Sequence, residues 1–135
     1  MRNFFLLAAV ICFGTAILKF YSSRMTPSSP QSPEKNVLSP EEAKARLDAN
    51  GEIVLLDVRT QEEYDAGHIP GAVCFPNEDI QPELPLPFDK DAEILVYCRS
   101  GRRSAEAAEK LTSMGFTNVS DFGGIQNWPY ETTTE

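Results

Sequence analysis

From residue 39 onward the apolar positions keep two rhythms. Solid apolar runs with β-branched residues, "EIVLLDV" (52–58), "GAVCFP" (71–76), "EILVYC" (93–98) and the shorter "TNVSDF" (117–122), read as strands. Between them lie segments with helical spacing and clear punctuation. "SPEEAKARLDANG" opens with Ser39 as N-cap, Pro40 at the first helical position and Glu42 as a capping-box partner, and Gly51 stops it. "TQEEYDAG" repeats the device with Thr60 and Glu63 and ends at Gly67. A third helical pattern runs from Gly101 to Met114, with Ala105, Ala108, Leu111 and Met114 as its apolar stripe and Gly115 as its stop. "QPELPLPFDKDA" is a proline-broken loop, and "GGIQNWPY" begins a last helical turn. Strands that are apolar on both faces and alternate with helices predict an α/β domain, its central, mainly parallel sheet flanked by helices on both faces.

The first part of the chain has another pattern. Residues 1–21 carry a short basic start and an apolar run from Phe4 to Leu18. This reads as either a signal peptide, with Gly14-Thr15-Ala16 as the cleavage site, or an uncleaved membrane anchor over residues 4–21. As a helix to Tyr21 it would span roughly 27 Å, just short of a ~30 Å hydrocarbon core. A lipidated Cys12 is disfavoured because Ile11 stands where a small residue is wanted. Arg2 lies on one side of the run and Lys19 and Arg24 on the other, so charge does not orient it. Export is the expectation, to a periplasmic or membrane-tethered location, with the cytoplasmic face of the membrane as the alternative. Residues 22–38 are rich in Pro and Ser and read as a solvated linker. The folded domain is expected over 39–130, with 131–135 as a C-terminal tail.

Charge narrows the partners. The chain carries a net −8, and beyond Met25 it holds 9 Lys and Arg against 20 Asp and Glu, or −11. Such a surface repels nucleic-acid phosphates and anionic headgroups. Yet three of those nine cations, Arg99, Arg102 and Arg103, sit within five residues of Cys98. The cysteines Cys12, Cys74 and Cys98 have no zinc-ligand spacing, and no metal or organic cofactor is expected. Cys74 is expected in a buried strand, packing, with a resolving thiol for Cys98 as the lesser alternative.

Cys98 stands where an apolar strand gives way to a helix. There the helix dipole, unpaired backbone N–H groups and nearby guanidinium groups all favour the thiolate. In "CRSGRR" Gly101 lets the backbone curl with its amides inward, an anion nest, while Ser100 and Ser104 add hydroxyl donors. A reactive thiolate that also holds an anion suits two chemistries: sulfur transfer through a persulfide, or phosphate-ester hydrolysis through a cysteinyl phosphate. An inert cysteine at a strand end would have apolar neighbours instead.

"LLDVRTQEEYDAGHIPGAVCFP" (55–76), "VYCRSGRRS" (96–104) and "GGIQNW" (123–128), in this order, resemble a single-domain rhodanese over essentially the whole domain. The resemblance implies transfer of sulfane sulfur from thiosulfate or a similar small anionic donor to a thiol or cyanide acceptor, through a persulfide on Cys98. It implies substrate binding by Arg99, Ser100, Gly101, Arg102 and Arg103; a monomer is expected. Phosphatase-like relatives have a loop one residue longer, so the six-residue loop "CRSGRR" disfavours phosphatase or arsenate reductase activity. A non-catalytic binding module of the same fold would not need Cys98 or the arginines. In supporting roles, the resemblance has Asp57 bracing the active-site end of the sheet and Arg59 pairing with an acidic neighbour such as Glu63. His68 is structural in this reading, Gly123 and Gly124 admit a close backbone approach, and Trp128 packs either at the pocket rim or in the core. The early end after "WPYETTTE", where many relatives continue with a longer helix, leaves acceptor specificity open.

Overall fold

The computed structural model of the protein describes residues 36–135. The signal peptide or anchor over 1–21 and most of the 22–38 linker lie outside the described residues. No helix among those described is long and apolar enough to cross a membrane.

Helix α1 (Pro40–Ala49) leads to strand β1 (Val54–Asp57), helix α2 (Gln61–Ala66) and strand β2 (Val73–Cys74). After a 3-10 turn at Asn77–Asp79 and a long irregular segment come β3 (Ile94–Cys98), α3 (Arg102–Ser113), β4 (Val119–Gly124) and a closing 3-10 turn at Ile125–Asn127. The four strands form one parallel sheet in the order β2-β1-β3-β4. Both capping boxes form as expected: Ser39 Oγ accepts from Glu42 N while Glu42 accepts from Ser39 N, and Thr60 and Glu63 repeat the exchange. Each ties off backbone donors that a helix start would leave unpaired.

All five residues of β3 are buried, and its alternating side chains feed two cores. Ile94, Val96 and Cys98 pack beneath α3 with Leu56, Ala107, Leu111 and Phe116. Leu95 and Tyr97 pack on the other face with Ala43 of α1, Leu55, Ile69, Phe122 and Trp128. Burying each large aliphatic side chain contributes on the order of 1.5–3 kcal/mol, which is why the central strand tolerates no polar face.

The structure adjusts four expectations. Of the expected α3 stripe, Leu111 is buried and Ala108 and Met114 pack half-buried against the core, while Ser104 and Ala107 join the buried face in place of Ala105. Ala105 itself is only half-buried. Strand β2 is an edge strand rather than a buried one, with Val73 47% exposed. The 22–38 spacer ends early, because Leu38 N donates to Asp121 O and Asp121 N to Asn36 O, covering the β4 edge. The 131–135 tail is also docked: Thr133 and His68 exchange two backbone hydrogen bonds of 2.8 Å.

Candidate active site

The carboxyl end of the sheet carries the site, as expected for an open parallel sheet. Its construction begins with an irregularity in β4. Val96 pairs with Asp121 but Cys98 pairs with Gly124, so β4 holds one extra residue at this point. Gly123 absorbs it at φ +89°, its N–H held by Asp121 Oδ1 at 2.9 Å. A bulge of this kind bends the strand and re-aims the residues beyond it. Here it presses Gly124 against the backbone after Cys98. A Cβ on Gly124 would lie 2.2 Å from Arg99 O and 2.7 Å from Ser100 Cα. The glycine pair therefore makes the close approach the sequence suggested.

Against that wall the chain turns sharply. Gly101 adopts φ +105° as the N-cap of α3, a conformation that favours glycine. Its N–H points back to Cys98 Sγ at 3.0 Å. Ser104, fully buried in the first turn of α3, places Oγ 3.5 Å from the same sulfur. Burial alone would push the Cys98 thiol up. The Ser104 hydroxyl and the amides of Ser104, Gly101 and Ser100 more than offset it, and the net pKa lies below the ordinary cysteine value. Cys98 is only 1% exposed and belongs to the apolar core that also holds Val96 and Ala107. The sulfur thus has the apolar backing of an inert cysteine and the polar collar of a reactive one.

The arginines are arranged differently from the sequence reading. Arg103 turns to α2 and makes a two-pronged ion pair with Glu63, both contacts 2.8 Å. That contact, with Thr60 N–H bonding in support against the cost of burial, draws the Glu63 carboxyl down to about 2. Arg102 is exposed and pairs with Glu106 at 2.9 Å. Arg99 and Ser100 lie on the surface. The lowering of the thiol pKa therefore rests chiefly on short-range donors, with two of the three guanidinium groups turned toward carboxylates.

Arg59 does pair with an acidic neighbour, but the one it binds is Asp57 rather than Glu63, with Nη2 to Oδ2 at 2.6 Å and a further bond to Gly67 O at 2.7 Å. Asp57 is fully buried and also accepts from Tyr97 Oη at 2.6 Å. Tyr97 Oη in turn accepts from Ile69 N at 3.1 Å. Burial first, and then the Asp57 carboxylate, push the Tyr97 phenol far up, so it stays a donor. This network ties β1, β3 and the approach to β2 together directly behind the loop, and Tyr97 is the member that reading the sequence missed. Its only signal was its place in register between Asp57 and Cys98.

His68 is buried and stacked on Tyr64, with ring centroids 3.6 Å apart, and its ring nitrogens face Tyr64 O and Glu135 O. Trp128 sits in the core with Phe122. Cys74 pairs in register with Asp57, which pairs with Tyr97, so it lies two strands from β3. At ~4.8 Å per strand that is about 10 Å, beyond disulfide reach, and Cys98 points to the opposite face from Tyr97. Cys74 is not a resolving partner in this arrangement. Among the described residues no cluster of His, Cys, Asp and Glu could hold a metal ion.

Residues 39–130 match the family model described as rhodanese-like domain. The chain is 42% identical over 89 residues to the putative sulfurtransferase YtwF of Bacillus subtilis, covering 66% of this chain and 85% of that one. It is 40% identical over 92 residues to the thiosulfate sulfurtransferase GlpE of Pseudomonas entomophila, covering 67% and 82%. Among solved structures, the human single-domain sulfurtransferase TSTD1 superposes with a TM-score of 0.63 at 26% identity, covering 70% of this chain and 96% of that one. A rhodanese-like domain protein from Staphylococcus aureus gives a TM-score of 0.66 at 31% identity, covering 74% and 98%.

Proposed function

Because the chain belongs to the rhodanese-like domain family, whose relatives named above include sulfurtransferases, we propose that it transfers sulfane sulfur through a persulfide on Cys98. One observation carries this reading: a thiol at a strand end whose ionised form is favoured by the Gly101 N–H at 3.0 Å and the Ser104 hydroxyl at 3.5 Å.

The first half-reaction is attack of the Cys98 thiolate on the outer sulfur of a donor such as thiosulfate. A new S–S bond forms, the donor's own S–S bond breaks, and sulfite leaves with the bonding pair. The Cys98 persulfide then sits in the curl of the 98–103 loop, its charge held by the same amides. A thiol or cyanide attacks the terminal sulfur in the second half, and the Cys98 thiolate returns. Attack by a thiolate needs no general base, and His68 is packed away. Ser104 has one hydroxyl proton and three acceptors: Cys98 Sγ, Gly101 O at 3.1 Å and Gly123 O at 3.3 Å. It can turn that proton to the sulfur when Cys98 is ionised and back to a carbonyl when the charge moves outward.

The test measures thiocyanate formation from thiosulfate and cyanide. Turnover by the wild-type chain that is lost in Cys98→Ser supports the reading. Hydrolysis of an aryl phosphate without thiocyanate would replace it with phosphatase chemistry. Inactivity in both assays would leave a binding module.

A further inference from the structure

The carboxylates around the 98–103 loop are as telling as its cations. Arg99, Arg102 and Arg103 bring three positive charges. Glu63 cancels Arg103 through two 2.8 Å contacts with both side chains largely buried, and Glu106 faces Arg102 at 2.9 Å. Glu78, on the 3-10 turn after β2, also acts on Arg103. With the Cys98 thiolate included, the mouth is close to neutral or slightly negative, which is a poor match for a dianion. The two carboxylate partners differ in kind. Glu106 is an exposed i,i+4 partner on the same helix and contributes little. Glu63 comes from another element, and its orientation is fixed by the Thr60 capping box and by both prongs of the guanidinium. Its other neighbour, the Asp57–Arg59 pair, is internally neutral.

We propose that Glu63 is a specificity-determining residue that biases the loop toward singly charged sulfane-sulfur donors over dianionic thiosulfate. The inference rests on the sulfur-transfer reading above and deepens it. For a donor R–SO2–S⁻ the step balances as before: the Cys98 thiolate bonds to the outer sulfur, the S–S bond of the donor breaks, and R–SO2⁻ leaves with the electron pair. Neither half requires an outside oxidant or proton. Glu63 touches no reacting atom. It acts through Arg103, by withholding part of the positive charge that a second negative charge on the donor would need.

The experiment compares thiosulfate with methanethiosulfonate in the full-length chain, reading kcat/KM for each with cyanide as acceptor. Their intrinsic reactivities differ, so the decisive quantity is how the ratio changes between wild type and Glu63→Gln. Glutamine keeps the capping box and one hydrogen bond to Arg103 while removing the charge. Removing one charge at a distance of several ångströms should shift the thiosulfate-to-thiosulfonate ratio about tenfold toward thiosulfate, mainly through KM. The shift should shrink in high salt. Glu62→Gln, one residue away on the exposed side of α2, removes the same net charge and should leave the ratio within about twofold. A Glu63→Gln ratio equal to wild type, or one matched by Glu62→Gln, overturns the proposal while leaving sulfur transfer intact. If neither donor adds sulfur to Cys98 by intact mass, the function reading fails and the inference fails with it.

Discussion

Gly124 lies so close to the loop after Cys98 that a single added methyl group probes the contact. Gly124 has φ −114° and ψ 147°, which any residue can adopt, so Gly124→Ala introduces no backbone strain of its own. The penalty is purely steric. The new Cβ would stand 2.2 Å from Arg99 O, and restoring an ordinary 3.4 Å contact requires a separation of about 1.2 Å between β4 and the loop. All three nearest atoms are backbone, so no side chain can swing aside. Overpacking of this kind costs about 1–3 kcal/mol, which for a domain of this size lowers Tm by roughly 5–20 °C. The same displacement pulls the Gly101 N–H from Sγ, now 3.0 Å away. Losing one hydrogen bond to a charged group, worth about 1.5–3 kcal/mol, should raise the thiol pKa by about one unit or more and slow alkylation at neutral pH. Differential scanning fluorimetry reads the first effect and the rate of iodoacetamide alkylation at pH 7 reads the second. Gly51→Ala is the control, since nothing lies within 4 Å of its Cβ and it should stay within about 0.5 kcal/mol of wild type. A Gly124→Ala protein that melts within 2 °C of wild type and alkylates at the wild-type rate would refute the close-approach argument.

Other outcomes are expected from the same contacts. Alkylation of Cys98 in the wild-type chain should reach half its maximum rate at a lower pH than for a free cysteine, and Ser104→Ala should move that midpoint upward. Tyr97→Phe removes one of the hydrogen bonds to the buried Asp57 carboxylate and leaves the Ile69 N–H without its partner, which should cost about 1–3 kcal/mol in urea unfolding. The Glu63 pKa is lowered on folding, so its contribution to stability is fully present above its unfolded value near ~4.3. That contribution is lost as pH falls through about 2, and Tm measured between those limits should fall less steeply in Glu63→Gln.

How far the residues announced this arrangement depended on whether the deciding interaction was local. Capping boxes at Ser39 and Thr60 span three residues, so their form was readable directly and the helices begin where they predict. The apolar run 94–98 named the central strand because only a strand covered on both faces can be apolar throughout. The inward face of α3 was readable from Ala108, Leu111 and Met114, but not its extension to Ser104, a polar residue whose hydroxyl finds the sulfur and two carbonyls inside. The charge cluster at 99–103 was visible, but the partner of Arg103 lies elsewhere: Glu63 is forty residues away, and local spacing contains no trace of that pairing. Likewise only Glu63 was named for Arg59, and its pairing with Asp57 goes with Asp57 being buried beside Tyr97, a consequence of register. The bulge at Gly123 was foreshadowed only by the doubled glycine.

The central claim is that Cys98 accepts and holds a sulfur atom, and intact-mass spectrometry after brief exposure to thiosulfate tests it most directly. The account predicts a gain of one sulfur localised to Cys98, reversed by cyanide and absent in Cys98→Ser. An unchanged mass in the wild-type chain, or a gain that persists in Cys98→Ser, would contradict it.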